Sequence, residues 1–308
     1  MTAAPKLLRE RARVARDVRS FFDARGFIEV QTPVMVPSPG LDPHLDAFEI
    51  AGGDEGAPRW LSTSPEYQMK RLLSEGYPRI YQLTPCFRRG ERGPRHNPEF
   101  TMLEWYRASG DVSDVLGDTE QLVAGVTGGV VRVRDRSIDV HPPLERLSVC
   151  DAFSRYAGWS RDETMQAAAD DEDRYFRGLV ECVEPGLERL DRGVFLVDYP
   201  ASQASLARTK PSDPSLAERF ELYVAGMELC NGFGELVDAV EQRRRLLRDQ
   251  HTRRARGLPV YPVDERFLLA LQDVPQSAGN ALGFDRLVAL ACGTPAIAGV
   301  IAFTADEL

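Results

Sequence analysis

Two periods of hydrophobic residues run along this chain, and they predict helices alternating with pairs of strands. Over residues 7–22, apolar side chains recur every three or four positions with arginines between them, which is typical of a helix that buries one face. Residues 80–88 and 100–107 instead alternate, as side chains on the two faces of a strand do. Since a glycine-containing loop joins these two segments, we predict a β-hairpin.

The rest of the chain also divides into helical and strand-like segments. Helical patterns cover residues 66–74, 113–126, 241–256 and 284–292, with Ser113 as an N-cap, and most of residues 141–192. Strand-like segments cover residues 27–30, 45–50, 130–140, 194–199, 220–229, 233–240 and the end of 276–283. Asn231-Gly232 lies between two of them and is typical of a hairpin turn. Antiparallel hairpins with helices between them and at the ends predict one α+β domain over residues 1–308.

Composition narrows the class of protein. The net charge is −9, from 38 basic and 47 acidic residues, which disfavours a broad nucleic-acid-binding surface. The five cysteines are widely spaced and contain no C-x-x-C pair, so we expect no zinc knuckle or disulfide framework and a reducing cytoplasm. No apolar run approaches the roughly 20 residues that span a membrane, so no membrane partner is expected.

The loop between the first two predicted strands is basic and contains glycines. Its residues include Arg88, Arg89, Gly90, Arg92, Gly93, Arg95 and His96. Such a loop can cover a polyanion, while Glu104 and Tyr106 on the following strand would face a cationic group. The pattern therefore indicates a phosphate ester bound beside a cationic small molecule. The alternative is a solvated hairpin loop, which is what most basic loops are.

Two carboxylates bracket the predicted turn near residue 231. Across a turn, Glu228 and Glu235 would converge, and convergent carboxylates beside a phosphate usually hold Mg²⁺. The alternative is an ordinary polar hairpin.

Two predicted helix starts carry further candidate chemistry. Gly283 precedes a helix with Arg286 in its first turn, where free N–H groups and a guanidinium favour a phosphate. Ser64-Pro65-Glu66 opens another helix, where Glu66 can accept an amino group. The alternatives are a surface arginine on a packing helix and a carboxylate that complements the helix dipole.

Taken together, these segments resemble the motifs of class II aminoacyl-tRNA synthetases of the lysyl branch. Residues 25–33 resemble motif 1, residues 87–106 motif 2 and residues 281–286 motif 3, while residues 228–235 match the hairpin before motif 3. The resemblance covers nearly the whole chain. It implies an antiparallel sheet flanked by helices, an ATP site on the face of that sheet, and a homodimer formed through motif 1.

The resemblance also implies roles for individual residues. Arg88 would bind the α-phosphate and Arg286 the γ-phosphate side, as the two catalytic cations. The other ATP-binding positions would be Arg89, Gly90, Glu91, Asn97, Glu228, Leu229 and Gly283. Glu228 and Glu235 would share Mg²⁺ with the phosphates. The amino acid would be bound by Ser64, Pro65, Glu66, Glu104, Tyr106 and Glu235, with Glu66 at the backbone-type amine and Glu104 and Tyr106 at the side-chain ammonium.

Lysyl-tRNA synthetases carry an anticodon-binding barrel before motif 1, whereas here motif 1 begins almost at the start. We therefore expect no anticodon-binding domain. The sequence is most similar to stand-alone ligases that use ATP to attach (R)-β-lysine to elongation factor P, which implies that factor and lysine or β-lysine as partners, and not tRNA. Alternatives are an enzyme that charges tRNA or a small-molecule acceptor, and an inactive regulator, which the intact arginines and carboxylates disfavour.

Two positions depart from the family pattern. Motif 2 usually reads R-x-E, whereas Glu91 here follows Arg88 by three positions, so either the loop bulges to place Glu91 or a backbone group substitutes for it. Ala281 stands where lysyl synthetases usually have glycine, and its methyl group would reshape the amino-acid pocket.

Overall fold

The computed structural model describes residues 4–308, so residues 1–3 of the predicted domain lie outside the described residues. Within residues 4–308, nine strands form one mixed sheet of order β1-β4-β5-β13-β12-β11-β9-β8, with β10 paired to β11. These strands are β1 Ile28–Glu29, β4 Arg79–Phe87, β5 Glu99–Ala108, β8 Glu145–Ser148, β9 Val194–Pro200, β10 Thr209–Lys210, β11 Asp213–Val224, β12 Met227–Gly234 and β13 Ser277–Gly283. Strands β2 Met35–Val36 with β3 Trp60–Leu61, and β6 Val130–Val133 with β7 Arg136–Asp139, form separate pairs.

Helices lie before, between and after these strands. They are α1 Pro5–Asp23, α2 Glu66–Ser74, α3 Val112–Thr127, α4 Val149–Ala157, α5 Arg161–Asp170, α6 Glu172–Gly178, α7 Glu184–Glu188, α8 Ala239–Ala255, α9 Glu265–Ala270 and α10 Phe284–Ala291, with a π-helix at Leu179–Val183 and 3-10 turns at Ala201–Gln203 and Ile297–Gly299. In the described part of the chain, no helix is both long and apolar enough to cross a bilayer.

Helices α1, α3 and α10 cover one face of the sheet and build the main core there. Phe22 of α1 is fully buried and stacks on Tyr81 of β4 at 4.6 Å between ring centroids. On the adjoining strand β5, Leu103 and Trp105 point into the same core. Since alternate residues of a strand face opposite sides, Glu104 and Tyr106 point to the other face, where the candidate site lies.

The predicted α+β class is confirmed, and so is the hairpin, because β4 and β5 pair antiparallel with Gln82 opposite Glu104. The Ser113 N-cap is wrong. Asp111 caps α3 instead, since its side chain accepts hydrogen bonds from the backbone N–H groups of Ser113 and Asp114.

The predicted turn at Asn231-Gly232 is also wrong. Strand β12 runs unbroken through it, and the hairpin turns at Ala225-Gly226, where φ is +52° and +70°. Gly232 is a glycine for another reason: a Cβ at this position would overlap the ring of Phe220 on β11.

Candidate active site

A cavity of about 860 Å³ opens on the face of the sheet that the main core leaves free. Strands β5, β11, β12 and β13 contribute to its lining, together with α2, the loop between β4 and β5, and the start of α10. Nine of the predicted site residues line it: Ser64, Glu66, Arg88, Glu91, Asn97, Glu228, Leu229, Gly283 and Arg286. The structure therefore brings together segments that lie far apart in the sequence.

Strand register sets the order of side chains across this face of the sheet. Glu104 on β5 pairs with Ala281 on β13, which pairs with Asn231 on β12, which pairs with Glu221 on β11. Paired residues point to the same face of a sheet, so these four side chains form one row. Ala281 lines the cavity in the middle of this row, and its methyl group separates the Glu104 side from the Glu221 side.

Arg286 is held at one end of the cavity by three contacts. Its Nη1 donates to the backbone oxygen of Glu228 at 2.7 Å and lies 3.7 Å from Oε2 of that residue, while its Nη2 lies 2.9 Å from Nε2 of His96. Partial burial and the Arg286 charge lower the pKa of His96, so its ring is neutral at pH 7 and can accept that N–H. The guanidinium is thereby fixed at the cavity wall.

Arg88 lines the same cavity from the loop after β4. Its guanidinium lies 5.0 Å from the ring centroid of Phe100, and its Nη1 lies 3.7 Å from Oε1 of Glu91. Gly90 has φ +87°, which lets the loop make the extra bend that brings Glu91 back into the cavity. That Glu91 takes the place of the usual motif 2 glutamate stays a prediction.

The predicted magnesium pair is wrong, because β12 is one strand. Glu228 and Glu235 lie at its two ends, about 23 Å apart along an extended chain at 3.3 Å per residue. No cluster of three or more His, Cys, Asp or Glu side chains within residues 4–308 is arranged to hold a metal. The residues present thus do not form the predicted two-carboxylate metal site.

Glu228 itself lies at the end of the cavity where Arg286 is held. Enclosure there, and next the charge of Glu221, raise the pKa of Glu228, although Arg286 opposes the shift and 41% of the side chain is open to the cavity. The pKa of Glu228 therefore lies closer to neutral pH than that of an exposed glutamate.

Beneath the cavity floor lies a buried cluster of acidic groups around one lysine. Lys70 of α2 is fully buried, and its Nζ lies 2.6 Å from Oε1 of Glu66 and 2.5 Å from Oε2 of Glu235. Glu235 is 1% exposed, and neither of its oxygens accepts a hydrogen bond with good geometry from the described residues. Glu66 alone of these three residues lines the cavity.

Glu104 and Tyr106 belong to the same buried region. The Tyr106 hydroxyl donates to Oε1 of Glu104 at 2.5 Å, and Ser64 Oγ donates to Oε2 at 2.9 Å. Burial and then the charge of Glu66 raise the pKa of Glu104, although these two hydrogen bonds oppose the shift. Neither Glu104 nor Tyr106 lines the cavity, so they lie behind its wall rather than facing it as the sequence predicted.

Other predicted residues also lie outside the cavity lining. Arg89 and Gly90 are exposed, and Arg89 pairs with Asp46 at 3.2 Å, so the structure does not place them on the nucleotide side. Pro65 is buried just before α2. Asn97 lines the cavity, but its Oδ1 accepts the backbone N–H of Ala305 at 3.0 Å.

Two groups in or beside the site were missed in the sequence. Lys70 could have been found from its spacing, since Glu66 and Lys70 are four apart on one helix. The second is a buried cluster on β9 and β11, in which Arg219 and the hydroxyls of Tyr199 and Tyr223 all bind Glu221, at 2.5, 2.6 and 2.9 Å. Arg219, Glu221 and Tyr223 alternate along β11 and so share one face of it, but Tyr199 of β9 joins them only in the folded sheet.

Comparisons with known proteins fit this arrangement. A family model described as tRNA synthetases class II (D, K and N) matches residues 2–307. Proteins named elongation factor P–(R)-β-lysine ligase are similar over 98% of this chain and 96% of their own length: 42% identical in Enterobacter sp. (strain 638) and Klebsiella pneumoniae (strain 342), and 39% in Haemophilus influenzae (strain PittGG). This chain belongs to the class II tRNA synthetase family of the D, K and N type.

Proposed function

We propose that this protein is an ATP-dependent ligase that activates a lysine-type amino acid as its adenylate and transfers it to a lysine side chain of elongation factor P. The relatives named for that reaction match almost the whole chain at 39–42% identity. The amino acid we expect is (R)-β-lysine, which their names specify. The acceptor we expect is the factor rather than tRNA.

One observation carries the proposal: Arg88 and Arg286 line a single cavity whose wall is backed by a buried acidic cluster. Two guanidiniums suit the charge of a triphosphate, because each offers planar, permanently charged donors. The carboxylates of Glu66, Glu104 and Glu235 suit an amino acid with two ammonium groups. The cavity can thus hold an anionic and a cationic substrate side by side.

The first step joins the two substrates. A carboxylate oxygen of the amino acid forms a bond to the α-phosphorus of ATP, the bond from that phosphorus to the bridging oxygen breaks, and pyrophosphate leaves. No side chain need remove a proton, because the nucleophile is already anionic. Arg88 at the α-phosphate and Arg286 toward the γ-phosphate therefore act by orienting the substrates and stabilising charge in the transition state.

The second step transfers the acyl group. The acceptor amine forms a bond to the acyl carbon, the bond from that carbon to the phosphate oxygen breaks, and AMP leaves while the amine nitrogen releases a proton. A divalent cation, expected to be Mg²⁺, would accompany ATP. Of the two predicted carboxylates, Glu228 lines the cavity and Glu235 does not, so the residues present do not form the pair that would hold this ion.

We further propose that residues 1–308 act as one catalytic domain in the cytoplasm and that two copies associate through the motif 1 segment. Ile28 and Met35 of that region are 45% and 47% exposed. Exposed large apolar side chains near a sheet edge support an interface there.

Pyrophosphate exchange tests the first step directly. With wild-type protein, exchange into ATP should depend on added (R)-β-lysine or lysine. Replacing either cavity arginine, Arg88→Ala or Arg286→Ala, should lower kcat/KM by about a hundredfold or more, the size of effect seen when a transition-state charge contact is lost. Arg89→Ala is the matched control, because Arg89 is the neighbouring loop arginine and does not line the cavity.

The acceptor is tested separately. Intact mass of elongation factor P after incubation with ATP and each amino acid should rise by one aminoacyl group, whereas tRNA should stay uncharged. Wild-type exchange rates in Arg88→Ala would contradict the site, and charging of tRNA alone would contradict the acceptor.

A further inference from the structure

Lys70 occupies an unusual position for a lysine. Its side chain is 1% exposed, and its ammonium lies between the carboxylates of Glu66 and Glu235, with the ring of Phe267 centred 6.0 Å away. Burial disfavours the charged form, yet the charges of Glu235 and Glu66 raise the pKa of Lys70 above its usual value. Lys70 is therefore a permanent cation at the base of the amino-acid side of the cavity.

The cluster holds more acidic groups than Lys70 can balance. Glu66 and Glu235 share one ammonium, and the hydrogen-bond partners of the neighbouring Glu104 among the described residues are the neutral hydroxyls of Tyr106 and Ser64. Lys70 contacts Oε1 of Glu66 and Oε2 of Glu235, so it leaves the second oxygen of each carboxylate to another donor. A buried carboxylate without a donor is costly, so this cluster would stabilise a cation bound beside it.

Resting on the function proposed above, we propose that Lys70 is a positioning residue for the amino-acid substrate. Its ammonium fixes Glu66, which lines the cavity, against Glu235 behind it, so that an amino group of the substrate meets a carboxylate already in place. Lys70 does not touch the reacting atoms, and it acts through the two carboxylates. The sites of the triphosphate, around Arg88 and Arg286, do not depend on it.

Steady-state pyrophosphate exchange with Lys70→Met tests this division. Methionine is close in size to lysine and removes both the charge and the N–H donors. We expect KM for (R)-β-lysine or lysine to rise by about tenfold or more while KM for ATP stays within about twofold, the pattern expected when one substrate loses its preformed contacts. A residue needed only for folding would instead lower kcat through the active fraction and leave both KM values alone.

Two further variants keep the test decisive. Lys70→Arg retains the charge with a longer, planar group, and it can be measured if Lys70→Met does not fold. Its KM for the amino acid should rise. An unchanged KM would overturn the proposal. Lys210→Met is the matched control, because Lys210 also pairs with a carboxylate, Asp198 at 2.7 Å, but is 30% exposed and does not line the cavity. It should leave both KM values unchanged.

The two proposals fail in different ways. Absence of exchange by the wild-type protein with every lysine-type amino acid would contradict the proposed function. Exchange by the wild type, together with an unchanged amino-acid KM in folded Lys70→Met, would contradict only the assignment of Lys70.

Discussion

At the scale of single residues, Glu104 is the buried acid through which we expect pH to affect binding of the amino acid at its proposed site. It is 1% exposed, and burial together with the Glu66 charge raises its pKa. An acid with a raised pKa gains its charge only as pH rises through that higher value, and only the charged form attracts an ammonium strongly. We therefore expect KM for the amino acid to fall as pH rises from about 6 to 8, below the range where the substrate amines deprotonate.

Glu104→Gln isolates this effect. The glutamine keeps the shape and the contacts with Tyr106 and Ser64 but cannot ionise, so KM for the amino acid should be higher and should no longer fall with pH. The measurement is amino-acid-dependent exchange at several pH values, with KM for ATP as the internal control. Parallel pH profiles for the two proteins would show that Glu104 does not titrate in this range.

The same residue affects stability with a defined sign. Since the folded-state pKa of Glu104 lies above its unfolded value, the folded protein binds more protons, and its stability falls as pH rises from the unfolded value through the raised one. Glu104→Gln should remove that part of the slope. Urea denaturation below and above neutral pH measures this slope. If the free energy of unfolding fell more steeply with rising pH in the variant than in the wild type, the direction of the pKa shift would be contradicted.

At the scale of elements, the sequence predicts best where neighbouring residues decide the structure. Strands β4 and β5 follow from alternation over residues 80–88 and 100–107, and the helix at Glu66–Ser74 follows from its own pattern. Asn231-Gly232 predicts a turn that the structure does not contain. A glycine can be required either for a positive φ in a turn or because a neighbouring side chain leaves no room for a Cβ. Only the folded sheet shows that Gly232 leaves room for Phe220.

The need for a glycine at position 232 can be tested by substitution. Gly232→Ala should destabilise the protein by about 1–3 kcal/mol, because the added methyl overlaps a buried ring on the next strand. Gly117→Ala is the control: Gly117 lies inside α3 with nothing within 4 Å of the new methyl, so the same change should stabilise by about 0.5–1 kcal/mol. Urea midpoints report both. A neutral Gly232→Ala would show that Phe220 moves aside freely.

At the scale of the whole molecule, the candidate site is a product of topology. Glu104, Ala281 and Asn231 become neighbours only because β5, β13 and β12 pair in that order, and Lys70 meets Glu235 only because α2 packs near the end of β12. Single segments therefore identified the arginines and carboxylates, but not which of them share a surface. The wrong magnesium pair has this origin, since a turn at Asn231-Gly232 would bring Glu228 and Glu235 together, whereas β12 runs straight through that position.

The proposed dimer belongs to this scale as well. Strand β1 is the outer strand of the sheet next to β4, so its outer edge has no neighbour within the described chain, and Ile28 on it is 45% exposed. Met35 is exposed to a similar degree, 47%. In a symmetric dimer through this segment both side chains would be buried against the partner copy, where a carboxylate would be unpaired and costly.

The double variant Ile28→Glu, Met35→Glu should therefore sediment as a monomer at micromolar concentrations at which the wild type sediments as a dimer. Val240→Glu is the control, because Val240 is 80% exposed in the first turn of α8, where a carboxylate suits the helix dipole and no interface is proposed. Sedimentation velocity over a range of concentrations separates the outcomes. A wild type that is monomeric throughout, or a double variant that still dimerises, would show that the motif 1 segment does not join two copies, while leaving the cavity chemistry within each chain untouched.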